Sequence, residues 1–369
     1  MPALASRHSQ FSNTHTARTG EAEQTRTGGP WWKHRGLAFA VVGVLVLALL
    51  PYAGLNDSTI LTVSTIFMWI ILASSWNIIS GFAGYIDFGH AVYFGIGGYV
   101  AGILVVKSSV PFALTVFAAA VVSAVFALII GYPLLRLRGV YFSIAMLGAF
   151  LAVRELVSIA APLTGGAQGL VLPPIVNRLF FYYVFFVGAV CVVALVWGLR
   201  RSQLGSSLLA IKDDERGAEA RGINTTLLKL GVFTASAAIT GSVGALFAYQ
   251  VTFIDPGIMF RDSFLITVAI MATLGGLGTV WGPAIGAALF LVVRDALWSN
   301  EGDSFLIVFG AVLILLVLFM PEGIIGTFQR GDRTQLGRRI KRVRTRFQRT
   351  PESSYTTTER RTPRSVVSD

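Results

Sequence analysis

The sequence predicts an all-α integral membrane protein of about ten transmembrane helices, eight at the fewest, in which Gly-rich segments break or re-enter the bilayer. Three observations predict it. Of 369 residues, 54% are hydrophobic and only 13% charged, and the mean hydropathy is +0.68. A soluble domain of that composition has too little polar surface to cover itself. Apolar windows of the length that crosses hydrocarbon, about 20 residues at ~1.5 Å each, recur along the chain. The basic residues gather in both tails and one internal loop, the asymmetry that marks the cytoplasmic side of a membrane protein.

Five windows qualify outright: 37–55, 59–79, 111–132, 179–199 and 305–320. Four more, 86–106, 140–159, 227–249 and 264–277, are Gly-rich or interrupted by polar residues. A last one, 280–298, contains Gly282, Pro283 and Gly286. Each of these five could be a broken or re-entrant helix instead.

Charge sets the topology. Arg7, Arg18, Arg26, Lys33 and Arg35 precede the first span, and Arg136 and Arg138 follow the fourth. Arg200, Arg201, Lys212, Arg216, Arg221 and Lys229 cluster around the connection from the sixth span to the seventh, and twelve more run from Arg330 to Arg364. The loops between carry one each, Lys107, Arg178 and Arg261. Ten crossings, or eight with re-entrant pairs, put every basic stretch and both termini in the cytoplasm. The chain then divides into a polar, disordered tail over 1–36, a transmembrane domain over 37–326, and a basic, mostly disordered tail over 327–369. Within the last, 337–348 suits a juxtamembrane helix attracted to anionic lipid.

Other chemistries find no residues. Cys191 is the only cysteine and lies in an apolar run, which excludes an internal disulfide and a thiolate cluster and reads as a small core residue. No Gly-Lys dipeptide occurs, so there is no P-loop. His90 is the only histidine inside a span, which argues against a haem or a metal centre. The net charge of +11 follows the membrane topology and does not point to nucleic acid. No catalytic residue, metal site or cofactor is predicted.

Three segments stand out. In the loop 200–224, Leu208, Leu209, Ile211, Ala218 and Ala220 fit an amphipathic helix with Gly222 at its C-cap. It reads as a lever against a soluble partner, as a solvated connector, or as a helix resting on lipid. The stretch 75–102 has glycines at 81, 84, 89, 95, 97, 98 and 102, which let helices approach closely or break. There, Asn77, Asp87 and His90 fall where polarity is expensive, a charge at the helix centre costing about 2.5–3.5 kcal/mol. If the helix runs from 87, Asp87 and His90 share a face. Asp87 then caps a helix end while His90 packs, or both line a solute path with Asn77, Gly84, Gly89, Gly95 and Gly97. The third stretch, 274–287, clusters Gly275, Gly276 and Gly278 and echoes the first glycine run as an inverted repeat would. Arg154 and Glu155 are adjacent on the fifth span, about 100° apart, and do not simply pair; Arg154 reads as snorkelling to the outer interface.

Six motifs in order over 37–326 resemble a known family. They are Trp76-Asn77 with Gly84-Tyr-Ile-Asp-Phe-Gly-His90 and Phe94-Gly-Ile-Gly-Gly-Tyr99; Leu137-Arg-Gly-Val-Tyr-Phe-Ser-Ile144; Thr164-Gly-Gly-Ala-Gln-Gly-Leu170; Ala210-Ile-Lys-Asp-Asp-Glu-Arg-Gly-Ala-Glu-Ala-Arg-Gly-Ile223; Gly275-Gly-Leu-Gly-Thr-Val-Trp-Gly-Pro283; and Pro321-Glu-Gly323. The chain is similar to the permease subunits of branched-chain amino-acid ABC importers, the second of the paired permeases.

The resemblance implies that 206–223 is the coupling helix, with Glu219, Ala220 and Gly222 docking on an ATPase and Asp214, Glu215 and Arg216 beside them. It implies a transporter subunit without an ATPase site of its own, in a bacterial plasma membrane. The partners implied are two ATP-binding cassette subunits, a homologous permease, an extracytoplasmic solute-binding protein and the lipid bilayer. The substrate expected is leucine, isoleucine or valine, with urea, amides or other small organic solutes as the alternative. An ion-coupled carrier is the more distant rival, since only Asp87 and Glu155 offer carboxylates within the spans. The long tails and Arg216 and Arg221, where apolar residues are commoner, depart from the pattern.

Overall fold

The computed structural model describes residues 42–54, 56–108, 110–174, 177–298, 323 and 325. Both predicted tails and the predicted span 305–320 lie outside these residues. A short apolar helix, α1, covers Val42–Tyr52. From there run α2 (Asp57–Asn77), continued by a π-turn over Ile78–Phe82, α3 (His90–Ser108), α4 (Phe112–Leu134), α5 (Val140–Ile159) and the single turn α6 (Ala161–Thr164). After a two-residue strand β1 (Leu170–Val171) come α7 (Arg178–Arg201), α8 (Gln203–Asp213), α9 (Glu215–Ala220) and α10 (Thr225–Val251). A strand β2 (Phe253–Ile254), the turn α11 (Pro256–Met259), α12 (Asp262–Gly275) and α13 (Gly282–Trp298) complete the order.

Seven helical stretches among the described residues are long and apolar enough to cross a bilayer. The 17-residue α13 falls just short of their length.

Helix α4 is inside out relative to a helix of a soluble protein. On α4 the buried positions are Thr115, Ala119, Ser123, Ala127 and Gly131, a small residue every fourth place. Its large side chains, among them Leu114, Phe117 and Ile129, are exposed. In lipid the driving force between helices is close packing of small residues, because the solvent is as apolar as leucine. The same logic seats α10 against α3 and α4, its most extensive contacts. A Cβ at Gly97 would overlap the Gly241 carbonyl, and one at Gly244 would overlap that of Phe94. On the other side of α2, Phe67 packs on Tyr182 and Phe186 of α7 at 5.4 and 5.3 Å between ring centres.

Polar contacts sort the connections into two ends. At the end called distal here, Lys107 Nζ donates to Pro162 O (2.6 Å), Arg178 pairs with Asp57, Arg154 pairs with Asp262 (3.0 Å), and β1 pairs antiparallel with β2. At the proximal end meet the π-turn after α2, the residues after α4, the α7–α10 connection and the turn before α13.

Four expectations change. The span 86–106 begins only at His90, so Asp87 stands before the helix and not on its face. The window 264–277 is shorter at its end, with α12 closing at Gly275 and a separate turn, α11, preceding it. The single amphipathic helix 206–223 is two, because Asp214 has extended backbone (φ −156°, ψ 104°), which ends α8 and lets α9 begin afresh at Glu215. Cys191 is exposed on α7, since an apolar run in a membrane protein marks the lipid-facing side as readily as the core.

Candidate functional site

The α8–α9 pair is anchored from below. Ser202 caps α8 by accepting from Gly205 N (3.2 Å), and Leu208 and Ile211 on its inner face are buried. Lys212 at its C-terminal end donates to Gly81 O in the π-turn (2.8 Å). Ala218 is the buried residue of α9. That helix ends in a left-handed residue at Gly222 (φ +83°), whose N–H bonds Glu219 O (2.9 Å) while Ile223 N bonds Ala218 O (3.2 Å). Such a paired closure needs positive φ, which glycine adopts without strain; the expected C-cap at Gly222 is present.

One buried ion pair holds α9 down. Lys229, 2% exposed near the start of α10, places Nζ 2.6 Å from Glu215 Oε1. The same ammonium donates to Tyr85 Oη (3.0 Å) and to Leu135 O (3.2 Å), so all three of its protons have acceptors. Tyr85 Oη in turn donates to Glu215 Oε2 (2.7 Å). Arg138 adds charge at 3.7 Å from both Glu215 and Glu219. Burial alone favours a neutral Glu215, but the hydrogen bonds from Lys229 and Tyr85 and the nearby positive charges outweigh it and hold the carboxyl below its usual range. The Tyr85 hydroxyl is pushed well up, by burial first and then by donating to that carboxylate.

The predicted coupling residues therefore part company. Glu215 turns into the protein. Asp214, Arg216, Glu219, Ala220 and Gly222 are exposed, with Glu219 also accepting from Thr225 Oγ1 (2.8 Å). They are exposed positions of the segment whose Glu215 meets Tyr85 and Lys229.

The membrane-level candidates are shut in protein. His90 Nε2 hydrogen-bonds with Thr240 Oγ1 (2.7 Å) and Ser75 Oγ (3.2 Å), and its Nδ1 lies 3.4 Å from Asp87 Oδ2. Asp87 Oδ1 accepts from Gly89 N (2.7 Å), and Ser236 Oγ donates to Ser75 O (2.6 Å). This buried cluster joins α2, α3 and α10. Asn77 belongs elsewhere: its side chain donates to Thr279 O (3.0 Å) and accepts from Gly278 N (2.8 Å), bringing the two glycine-rich stretches together across 201 residues of sequence.

The candidate glycines are sites of close approach. A Cβ at Gly84 would crowd Lys212, at Gly89 Met146, at Gly95 the Phe260 ring, and at Gly275 the Gly282 carbonyl. Gly276 and Gly278 have positive φ in the turn between α12 and α13.

Sequence reasoning missed Tyr85 as a partner and counted Lys229, Lys212 and Arg138 only as topological charge. It also passed over Ser75, Ser236 and Thr240. A lysine at the threshold of a span, a position from which it can reach back to an interface, was the available signal.

Comparison with known proteins gives a consistent result. The family model described as the permease component of the branched-chain amino acid transport system matches residues 58–317. The permease protein LivM of a high-affinity branched-chain amino acid transport system from Salmonella typhimurium is 26% identical over 318 residues, covering 77% of this chain and 74% of that protein. BraD of Pseudomonas aeruginosa is 27% identical over 287 residues (70% and 91%), and LivH of Escherichia coli 26% over 289 (70% and 91%); both are named as permeases of such systems. No solved structure matches the chain. With the family match running from the start of α2 past the end of α13, this chain belongs to the branched-chain amino acid transport system permease family.

Proposed function

We propose that this chain is one half of the membrane pore of an ATP-driven importer of branched-chain amino acids. Its proximal end faces the cytoplasm of a bacterium, with both termini on that side. Two ATP-binding cassette subunits, a homologous permease and an extracytoplasmic solute-binding protein complete the system. The relatives' names support the substrate and the mode of transport. The chain itself hydrolyses nothing and serves as the moving part.

The observation that carries this reading is the tie from Glu215 on α9 to Tyr85 and Lys229. A nucleotide shifts a membrane equilibrium only through contacts that differ between its two states. The exposed set of Asp214, Arg216, Glu219, Ala220 and Gly222 is where an ATPase subunit makes those contacts. Movement of α9 then reaches the broken segment between α2 and α3 through Glu215, and the same end of α2 through Lys212 on α8. The Asp87–His90 cluster, Asn77 and the glycine-lined contacts of α3, α10 and α12 are the seams along which the path opens.

The test is uptake of labelled leucine by proteoliposomes holding the complete system. Uptake that requires ATP and both ATPase copies is expected. Uptake by the permeases alone under an ion gradient would contradict the reading.

A further inference from the structure

The distal end holds a cavity of about 720 Å³ that the coupling network does not touch. One wall is α5, through Leu151, Arg154 and Glu155; the other is the turn at Asp255 and Pro256, with Ala167 between. The walls are fixed to each other. Leu170 and Val171 pair with Ile254 and Phe253, Leu172 N donates to Thr252 O (2.7 Å), and Arg154 Nη1 is held by Asp262 Oδ1 (3.0 Å). The size falls within the range of about 300–1,000 Å³ usual for small-molecule sites.

The charges in this cavity are mixed, and each retains capacity. Arg154 has five N–H donors in a planar fork, of which Asp262 engages one nitrogen. Asp255 Oδ1 accepts from Ile258 N (2.7 Å), which leaves its second oxygen. Glu155 is exposed and has no hydrogen bond or ion pair among the described residues. A simple anion entering here meets two carboxylates, and a simple cation meets the guanidinium. A molecule carrying both signs on neighbouring atoms satisfies both, and Leu151, Ala167 and Pro256 leave apolar surface beside them.

We propose that this cavity is an acceptor site for the zwitterionic head of a free α-amino acid. Arg154 takes the carboxylate through its fork, the geometry in which guanidinium binds carboxylate best. Glu155 and Asp255 take the ammonium, and the apolar lining takes an aliphatic side chain. The inference rests on the importer reading, because it requires the distal end to face the side from which amino acid arrives.

The test uses the assembled permeases and ATPases in nanodiscs, without the solute-binding protein, and reads ligand contact by saturation-transfer NMR. The probes are L-leucine, 4-methyl-2-oxopentanoate, which lacks the ammonium, and 3-methylbutylamine, which lacks the carboxylate. Leucine is expected to bind, with both analogues at least ten-fold weaker. Arg154→Gln, or Glu155→Gln with Asp255→Asn, should weaken leucine at least ten-fold. Asp262→Asn, which keeps an acceptor for Arg154 and removes a charge outside the lining, should change it less than two-fold.

No leucine signal, analogues that match leucine, or variants that abolish association of the solute-binding protein while leucine binding persists would each overturn the proposal. The last outcome would make the cavity a protein-docking surface. ATP-driven leucine uptake by the complete system in proteoliposomes, solute-binding protein included, keeps the two readings apart. Uptake without this binding sinks the acceptor site alone, whereas binding through Arg154 without uptake sinks the importer reading and leaves the site standing.

Discussion

Lys229 Nζ on α10 lies 2.6 Å from Glu215 Oε1 on α9, and both groups also hydrogen-bond Tyr85 Oη, at 3.0 and 2.7 Å. Three elements distant in sequence thus share one buried contact, with Leu135 after α4 as a fourth. Lifting α9 alone would remove Glu215 and leave an ammonium short of a partner in a site where an unpaired charge is costly. The physical consequence is that α9 and the 83–89 segment move together or not at all.

Removing one member of a buried ion pair typically costs about 3–5 kcal/mol, whereas replacing both with apolar groups of similar volume costs little. Glu215 keeps 15% of its surface exposed, so the loss should fall toward the lower end of that range. Lys229→Met and Glu215→Leu should each lower the thermal midpoint of the purified complex. Lys229→Met combined with Glu215→Leu should restore most of it without restoring transport. Additive losses in the double variant would show that the two side chains are not coupled.

The contact has a predictable pH dependence. Glu215 titrates below the ordinary carboxylate value of about 4.3 when folded, so its contribution is complete above that value and fades as pH falls through the lowered one. Hydrogen exchange of the α9 amides, taken relative to their intrinsic rates, should stay protected through the ordinary carboxylate range and lose protection only below it. Tyr85→Phe removes a donor to the carboxylate and should move the midpoint upward. A midpoint indifferent to that change would remove Tyr85 from the network.

Close approach of α3 to α10 depends on Gly97 and Gly244. Added volume in a packed core costs typically about 1–3 kcal/mol, and backbone carbonyls cannot yield as side chains do. Gly97→Val and Gly244→Val should reduce the yield of assembled, folded protein. Gly198, with open space around it, should accept alanine without loss, and equal behaviour at all three positions would argue against the α3–α10 seam.

His90 distinguishes packing from solute contact. Truncation leaves Thr240 and Ser75 with one fewer buried partner, a loss of about 1–3 kcal/mol. His90→Ala should therefore lower the thermal midpoint in the absence of any substrate. A variant with unchanged stability and a raised KM for leucine would instead make His90 part of the path.

The spans were legible because hydropathy acts over 20 residues, and α5 runs from Val140 to Ile159 as its window predicts. The end of α9 was legible too, since Gly222 has a local reason to be there. What failed depends on contacts distant in sequence. Asn77 finds Gly278 and Thr279 two hundred residues away, and nothing local to either announces the pairing. Glu215 resembles its exposed neighbours in type. Only the break at Asp214, and a lysine 14 residues later that enters the bundle instead of solvent, turns it inward.

On the proposed function, the exposed residues from Asp214 to Gly222 meet an ATPase subunit and move with it. The most direct measurement is photo-crosslinking from a single cysteine at Ala220, in a chain with Cys191→Ser, within the complete transporter. A crosslink to the ATP-binding subunit is expected, with a yield that changes between nucleotide-free and ATP-bound states, while a probe at the exposed Val187 on α7 labels no ATPase. A crosslink from Ala220 to lipid alone, or to the solute-binding protein, would contradict it.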